Sequence, residues 1–410
     1  MYQQVFSLIL LMLIINFSTE LSEGLWPLTF SFAMGLATLG YALCLGVIYL
    51  QNRALRLKRP QMSLLVQLEL LAYFTTYLLV IGVQTNFNPF FRSLTILSFI
   101  CLIFYFFALA FFRYTFERIT ENRWDKVKGQ TLFLLPFLIP YFALTAFFDL
   151  FGDLDEVVMT MIMGVILALS LLFLPFFLQK FWQCTPLPDN DLHRKLECIC
   201  QQAQFKHGGI KIWTVMGSAL TAAIVGLLPR FRYIMFTPNL IKVLASEHIE
   251  AILAHEIGHS KHHHLIFYPF IAFGMMITVG LFFLMLGGNM DQALEPIFAF
   301  IPYALIIWLY FRYIFGYFSR LFERQADLYG FRLQMSPEQM IGALDHVAIA
   351  AGNIHRQPSW HHFSIQQRID FLKKVTEDHS LIAKHDRKVI MSLILYFLLL
   401  ILGTITLFWY

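Results

Sequence analysis

The sequence predicts a multi-pass α-helical membrane protein with a small α+β domain built between its spans. Hydrophobic residues occupy 58% of the 410 positions, and the mean hydropathy is +0.64. Charged residues make up 14%, whereas a soluble domain has about 25%. Long apolar runs recur along the chain, and a membrane helix needs about 20 such residues. A soluble globular protein is therefore excluded, because too little polar surface is available to cover a chain of this size.

Nine apolar segments are candidate transmembrane helices. The first is short, and we interpret it as a short or tilted helix rather than a signal peptide, because its leader MYQQ contains no basic residue. The nine segments are 4–17, 26–50, 63–85, 91–112, 131–149, 157–179, 265–287, 296–317 and 388–409.

These segments divide the chain into five parts. Two of the parts are polar, and a domain outside the bilayer can fold only there; we predict that the two build one domain together. The predicted parts are a six-span membrane region at 1–180, the first part of the domain at 181–264, a transmembrane hairpin at 265–317, the second part of the domain at 318–387, and a C-terminal transmembrane helix at 388–410.

The charges of the loops predict the orientation in the membrane. Basic residues gather in the loops at 51–60 and 113–130, whereas the alternate loops are acidic or neutral. The positive-inside rule places the basic loops in the cytoplasm, and counting spans from there places both polar parts on the same side. We expect an integral membrane protein whose polar domain faces the cytoplasm, in a bacterial inner membrane or, as the alternative, in an endomembrane. The lipid bilayer is thus an expected partner, and no feature indicates nucleic acid.

The first polar part reads as a helix, a small sheet and a second helix. Residues 190–205 have an amphipathic helical pattern. Three short runs follow, IKIWTVM, ALTAAIVG and FRYIMFT, which are rich in β-branched and aromatic residues and separated by turn residues. They predict a small antiparallel sheet. After it, Ser246 is the expected N-cap of a helix that carries Glu247 and Glu250 in its first turn.

That second helix contains the motif HExxH, formed by His255, Glu256 and His259. Residues four apart lie on one face of a helix, so both imidazoles can reach one ion. Zinc accepts nitrogen ligands and lowers the pKa of bound water to about 7, and a carboxylate beside it can take up the proton of that water. The motif predicts metal-activated hydrolysis of an amide. The alternative is a polar helix end at the membrane surface.

Three further histidines, His262, His263 and His264, follow the motif. His263 would share the face of the motif histidines if the helix continued, but eight residues separate it from His255, or about 12 Å along the axis. Imidazoles staggered in this way converge poorly on one ion. We therefore expect these three rings at the boundary between helix and membrane, where they can meet lipid headgroups.

A third ligand must come from another segment, and the helical pattern SRLFERQADLYGFR at 319–332 offers one. Glu323 and Asp327 are again four residues apart. One carboxylate from this helix would complete a three-ligand site with an open position for water. The second could accept a hydrogen bond from the other nitrogen of a ligand histidine. The alternative is a pair of solvated acids that bind Arg320 and Arg324.

These motifs resemble a known family. The sequence HEIGH, followed after a membrane hairpin by SRLFERQAD, is similar to the integral-membrane zinc metallopeptidases that include the CAAX prenyl endopeptidases and bacterial HtpX-like proteases. These enzymes belong to the gluzincins, so the resemblance implies a gluzincin (zincin-type) catalytic domain. It extends from about residue 190 to 372 and includes the late segment SWHHFSIQQRIDFL.

The resemblance implies a role for each matching residue. His255, His259 and Glu323 would hold one Zn²⁺ per chain, Glu256 would be the general base, and Asp327 would support a ligand histidine. His362 and Arg368 keep the spacing of a late element near the active site, where either could contact the oxyanion; alternatively, Arg368 only pairs with a helix carboxylate. Thr221 and Ala222 take the place of an asparagine-alanine pair on the strand that faces substrate.

The sequence therefore predicts a membrane zinc metalloendopeptidase that hydrolyses membrane proteins or membrane-associated peptides. Threonine at 221 cannot supply the paired donor and acceptor of an asparagine amide, so a prenylated CAAX substrate does not follow from the resemblance. A metal transporter or channel is one alternative, which predicts ionisable residues facing one another within the spans; Glu69 and Asp149 are the main candidates. The other alternative is an inactive scaffold, which predicts loss of the base or a ligand.

Overall fold

Helices make up most of this computed structural model, and the chain separates into two units, Met1–Trp182 and Gln183–Tyr410. The division falls beside the boundary expected at residue 180. The structure describes residues 2–19, 30–55, 59–80, 93–116, 123–215, 219–285, 302, 305–357, 359 and 361–409.

The described residues of the first unit form six long helices. Apolar side chains cover them, and a helix satisfies its own backbone hydrogen bonds in lipid, where no water can do so. Their bounds are α1 Tyr2–Thr19, α2 Phe30–Ala54, α3 Arg59–Thr75 with a π-turn at Thr76–Val80, α4 Leu94–Phe116, α5 Arg123–Phe151 and α6 Glu156–Phe181.

The two acids that a transport pathway would need have neutral partners in this unit. The Asp149 carboxylate on α5 accepts hydrogen bonds from Ser93 Oγ at 2.6 Å and from the backbone N–H of Leu94 at 2.9 Å. It thereby caps the start of α4. Glu69 on α3 accepts a hydrogen bond from the side-chain amide of Gln51. Both carboxylates thus bind neutral groups that lie outside their own helices.

Helices long and apolar enough to cross a membrane match six of the nine predicted spans within the described residues. Of the other three, 4–17 coincides with the shorter apolar helix Ser7–Asn16, while 63–85 and 296–317 extend into residues outside the described ranges. The six helical spans are Gly35–Ala54, Leu94–Phe112, Thr131–Phe151, Val157–Phe181, His264–Phe282 and Ser380–Leu407. The predicted class, a multi-pass helical membrane protein, is confirmed.

The second unit contains a small sheet and nine helices within the described residues. The strands are β1 Thr185–Pro186, β2 Gly209–Ile212, β3 Ala222–Val225 and β4 Tyr233–Phe236. The helices are α7 Asp191–Gln202, α8 Pro238–Val243, α9 Ser246–Lys261, α10 His264–Met285, α11 Gly316–Asp327 (after a π-turn at Tyr310–Phe315), α12 Tyr329–Arg332, α13 Pro337–Ala350, α14 Ile365–Glu377 and α15 Ser380–Trp409.

The sheet is mixed, so the prediction of an antiparallel sheet was wrong for the pairing of β2 with β4, which is parallel. The order is β1-β2-β4-β3, with β4 antiparallel to β3 but parallel to β2. After β3 the chain turns back and inserts β4 between β2 and β3. Ile234, Met235 and Phe236 on β4 are completely buried, as expected of a central strand. Consequently β3 lies at the edge of the sheet.

Helix α9 packs on this sheet through one apolar face. Ile249, Leu253 and Ile257 on α9 join Ile234 and Phe236 in a single buried cluster. The opposite side of α9 packs against α11. The helix begins at Ser246, but the N-cap residue is Ala245 and no side chain caps it, so the expected Ser246 cap was wrong. The Ser246 hydroxyl instead accepts a hydrogen bond from Lys195 at 3.0 Å.

Gly258 within the HEIGH motif permits a close approach of α9 to the neighbouring helices. A Cβ at this position would lie 2.7 Å from Cβ of Tyr329 and 3.1 Å from Cα of Ala326. The Ala326 atom belongs to the backbone of α11, which cannot move aside as a flexible side chain can. A side chain at position 258 would therefore push the two helices apart.

We predict that Gly258→Ala destabilises the chain, although alanine is the better helix former. Overpacking of a tight core costs about 1–3 kcal/mol, more than the gain in helix propensity. Gly330→Ala is the matched control, because a Cβ at Gly330 has no neighbour within 4 Å. Thermal unfolding of both variants in detergent checks this. Equal melting temperatures for the two would contradict the close approach.

Candidate metal centre

The two motif histidines face one another at the end of α9. Their Nε2 atoms are 3.2 Å apart, and the rings meet at an interplanar angle of 78°. His255 is buried and His259 is partly buried. Glu256, the next residue after His255, is also partly buried on the same helix. The predicted spacing thus brings two nitrogen donors to one point.

Glu323 on α11 supplies an oxygen donor at that point. Its Oε1 lies 3.4 Å from His259 Nε2, and its Oε2 lies 3.8 Å from His255 Nε2. Each of these three residues offers one ligand atom, and the three atoms all lie within 4.8 Å of one another. Two imidazoles and a carboxylate fit Zn²⁺, which binds such donors and keeps a fourth position open in catalytic sites. Glu323 is 7% exposed, so the alternative of a solvated acid does not describe it.

Asp327, one turn further along α11, contacts the far side of His255. Its Oδ1 lies 2.9 Å from His255 Nδ1, and the residue is buried. A hydrogen bond at Nδ1 places the imidazole proton there and leaves Nε2 free to bind a metal. Arg324, the proposed partner of the acids in the alternative interpretation, instead lies over the rings of Phe363 and Phe371.

The late element reaches the same site from α14 and the segment before it. His362 Nδ1 lies 3.3 Å from Glu323 Oε2. The Arg368 guanidinium donates from Nε to Asp327 Oδ2 at 2.8 Å, and its Nη1 lies 3.5 Å from Glu323 Oε2. The pairing of Arg368 with a helix carboxylate is therefore present, while contact of either residue with an oxyanion stays a prediction.

These contacts set the charges of the buried groups. Burial alone would raise the pKa of Glu323, but hydrogen bonds with His259 and His362 outweigh it and hold the pKa well below its usual value. Burial would likewise raise the pKa of Asp327, yet Arg368 and His255 lower it. Burial raises the pKa of Glu256. The site therefore contains two carboxylates held ionised and a third that takes up a proton more readily.

Thr221 and Ala222 lie at the start of the edge strand β3, which packs against α9. Thr221 O accepts a hydrogen bond from Thr237 N at 3.1 Å, so the backbone groups of Thr221 point towards β4. Successive residues of an antiparallel strand alternate in direction. The backbone N–H and C=O groups of Ala222 and Ile224 therefore point away from the sheet, to a side where no described strand lies.

The expectation for the three histidines after the motif was wrong for His264. Helix α9 ends at Lys261, His263 adopts a positive φ of 59°, and His264 starts α10. This turn carries His264 back to His259 rather than onward to the headgroups: it is 1% exposed, and the two Nδ1 atoms are 3.0 Å apart. Helical periodicity could not reveal this contact, because the helix stops between the two residues.

Comparison with known proteins agrees with this geometry. Residues 186–376 match the sequence model of peptidase family M48. The chain is 27% identical over 162 residues to CAAX prenyl protease 1 of Saccharomyces cerevisiae, which covers 38% of this chain and 35% of that protein. It is 25% identical over 244 residues to the CAAX prenyl protease 1 homolog of Oryza sativa subsp. japonica, which covers 53% of this chain and 55% of that protein.

A solved structure shares the fold. The crystal structure of S. mikatae Ste24p superposes with a TM-score of 0.53 at 17% identity, covering 88% of this chain and 98% of that chain. Residues 186–376, somewhat less than half of the chain, are thus similar to the peptidases of family M48. The resemblance predicted from the sequence is confirmed. The chain spans about a third and about half of the lengths of the two curated relatives.

The pair formed by Arg368 and Asp327 gives a prediction for stability. Arg368→Met leaves a buried carboxylate without its cation, which costs about 3–5 kcal/mol. The double variant Arg368→Met/Asp327→Asn removes the uncompensated charge and should recover part of that loss. Thermal unfolding of metal-free Arg368→Met, Asp327→Asn and the double variant gives a double-mutant cycle, which measures how strongly the two side chains depend on one another. Strictly additive losses would show that the two side chains do not depend on one another.

Proposed function

We propose that this chain is a membrane zinc metalloendopeptidase that hydrolyses peptide bonds of membrane proteins or membrane-associated peptides. One Zn²⁺ per chain would be held by His255, His259 and Glu323. The observation that carries the proposal is the convergence of one ligand atom from each of these residues within 4.8 Å, next to the carboxylate of Glu256. The match of residues 186–376 to the model of peptidase family M48 supports the same reaction class.

The residues around the site have separate roles in amide hydrolysis. When bound, Zn²⁺ supplies Lewis acidity that polarises a carbonyl and acidifies water. The Glu256 carboxylate takes a proton from the attacking water as the new C–O bond forms, and passes it to the amine as the C–N bond breaks. Burial raises the pKa of Glu256, which favours its temporary protonation. Glu323 stays anionic because His259 and His362 stabilise its charge.

In this proposal His362, rather than Arg368, contacts the oxyanion. Two donors of Arg368 are already bound to Asp327. The His362 side chain is 31% exposed and lies beside Glu323, so it can reach a substrate that approaches from solvent. A donor aimed at the developing negative charge stabilises the transition state.

An extended substrate would bind along β3. The outward backbone groups of Ala222 and Ile224 can form hydrogen bonds with a peptide added to the edge of the sheet. Such binding reads the peptide backbone and is independent of its side chains. Binding through the backbone would hold a substrate even though position 221 has no asparagine amide.

The membrane helices next to the site favour substrates at the bilayer. Helix α10 starts three residues after α9 ends and is long and apolar enough to span a membrane. We place the site on the cytoplasmic face of the membrane, because the basic loops lie on that side in the predicted topology; the membrane is a bacterial inner membrane or, as the alternative, an endomembrane. The names of the two curated relatives make a prenylated CAAX peptide a substrate to include in any assay.

We predict that Glu256→Gln keeps zinc but loses cleavage. Amide replaces carboxylate with almost no change of shape, and loss of a general base costs about 10²–10⁴-fold in rate. The chain is purified in detergent, its zinc is measured by mass spectrometry, and hydrolysis is followed with casein, a membrane-protein peptide and a prenylated CAAX peptide. Glu250→Gln, two turns earlier on the same helix, is the control. Equal cleavage by Glu256→Gln and wild type would remove Glu256 from the mechanism.

The edge strand gives a second prediction. Ala222→Pro removes one outward N–H while keeping the hydrogen bonds between β3 and β4, and proline is tolerated where an edge strand faces solvent. We expect kcat/KM for peptides to fall with zinc content and melting temperature unchanged. Ala222→Val, which keeps the N–H, is the matched control and should stay close to wild type. Undiminished cleavage by Ala222→Pro would place the substrate elsewhere.

A further inference from the structure

His264 occupies a buried position directly behind the proposed ligand His259. Its ring stacks on Phe322 at a centroid distance of 4.2 Å and an interplanar angle of 9°. His264 is 1% exposed and Phe322 is fully buried. Stacking on Phe322 fixes the plane of the His264 ring beside His259.

The hydrogen bonds of this cluster have only one consistent direction if His259 binds a metal through Nε2. That nitrogen faces His255 and Glu323, so the proton of the His259 ring must be on Nδ1. It then donates to His264 Nδ1 at 3.0 Å. Since His264 accepts at Nδ1, its own proton is on Nε2, which donates to Gln325 Oε1 at 3.0 Å.

The chain of hydrogen bonds continues to the last membrane helix. Gln325 Nε2 donates to Asp386 Oδ1 at 2.6 Å, which fixes the Gln325 amide with its oxygen towards His264. Asp386 belongs to α15, and its Oδ2 accepts a hydrogen bond from Arg332 at 2.7 Å. Every donor in the series has an acceptor, and each member fixes the orientation of the one before it.

We propose that His264 is the positioning residue of His259: it accepts the Nδ1–H of the ligand, and Gln325 and Asp386 hold it in the tautomer that can do so. The proposal rests on the metal centre described under Proposed function. Asp327 occupies the equivalent place behind His255. The two imidazole ligands are thus held by different groups, one by a carboxylate and the other by a neutral imidazole that is tied to α15.

The test measures zinc affinity of the full-length chain in detergent by competition with a chelator. His264→Leu fills the space but has no acceptor, and loss of such a partner lowers metal affinity by about 10–100-fold. His264→Asn places its Oδ1 near the position of Nδ1 and keeps the acceptor, so it should lose far less. The control is His263→Asn, because His263 is exposed and asparagine tolerates its positive φ.

A second readout separates positioning from folding. The absorption spectrum of the Co²⁺-substituted chain reports ligand geometry; its bands should shift in His264→Leu and stay near wild type in His264→Asn. The melting temperature of each metal-free variant is measured in parallel. Asp386→Ala should change zinc affinity in the same direction as His264→Leu, because it releases Gln325.

The possible failures are distinguishable. If wild type binds no stoichiometric zinc, the metal centre itself is wrong. If wild type binds zinc and His264→Leu binds it equally well with an unchanged spectrum, the positioning role is wrong. Equal losses in His264→Leu and His264→Asn would assign the effect to packing and overturn the hydrogen-bond argument. An unchanged Asp386→Ala would overturn the link to α15.

Discussion

The close contact between α9 and α11 is the constraint on which the rest of this unit depends. It brings two imidazoles and the Glu323 carboxylate to one point, although the three side chains come from two separate helices. Gly258 leaves the space for this contact. The contact also buries charge, and buried charge is costly unless it is paired. The buried carboxylate of Asp327 is paired with Arg368 and His255.

The membrane helices contribute to the site as well as to anchoring. His264, the first residue of α10, contacts His259, so the start of this helix is part of the candidate site. Helix α15 contributes Asp386, whose carboxylate connects to His259 through Gln325 and His264. Support of the candidate metal ligands by membrane helices agrees with the membrane-associated substrates proposed above.

The residues that local periodicity could predict are those of the two helical motifs. HExxH and the pair Glu323 and Asp327 are spaced by four, so a helix alone determines which side chains share a face. The parallel pairing of β2 and β4 depends instead on how the chain returns after β3, which no local pattern records. The buried run on β4 was the available signal of a central strand. His264 was missed because its contact requires a helix end and a positive φ between it and His259.

Diffraction at the zinc absorption edge, from crystals of the purified chain, tests the central claim most directly. We expect one anomalous peak per chain, at about 2.0–2.2 Å from a nitrogen of His255, a nitrogen of His259 and an oxygen of Glu323. A peak bound elsewhere would contradict the account. So would a zinc held by the two imidazoles with the side chain of Glu323 turned away.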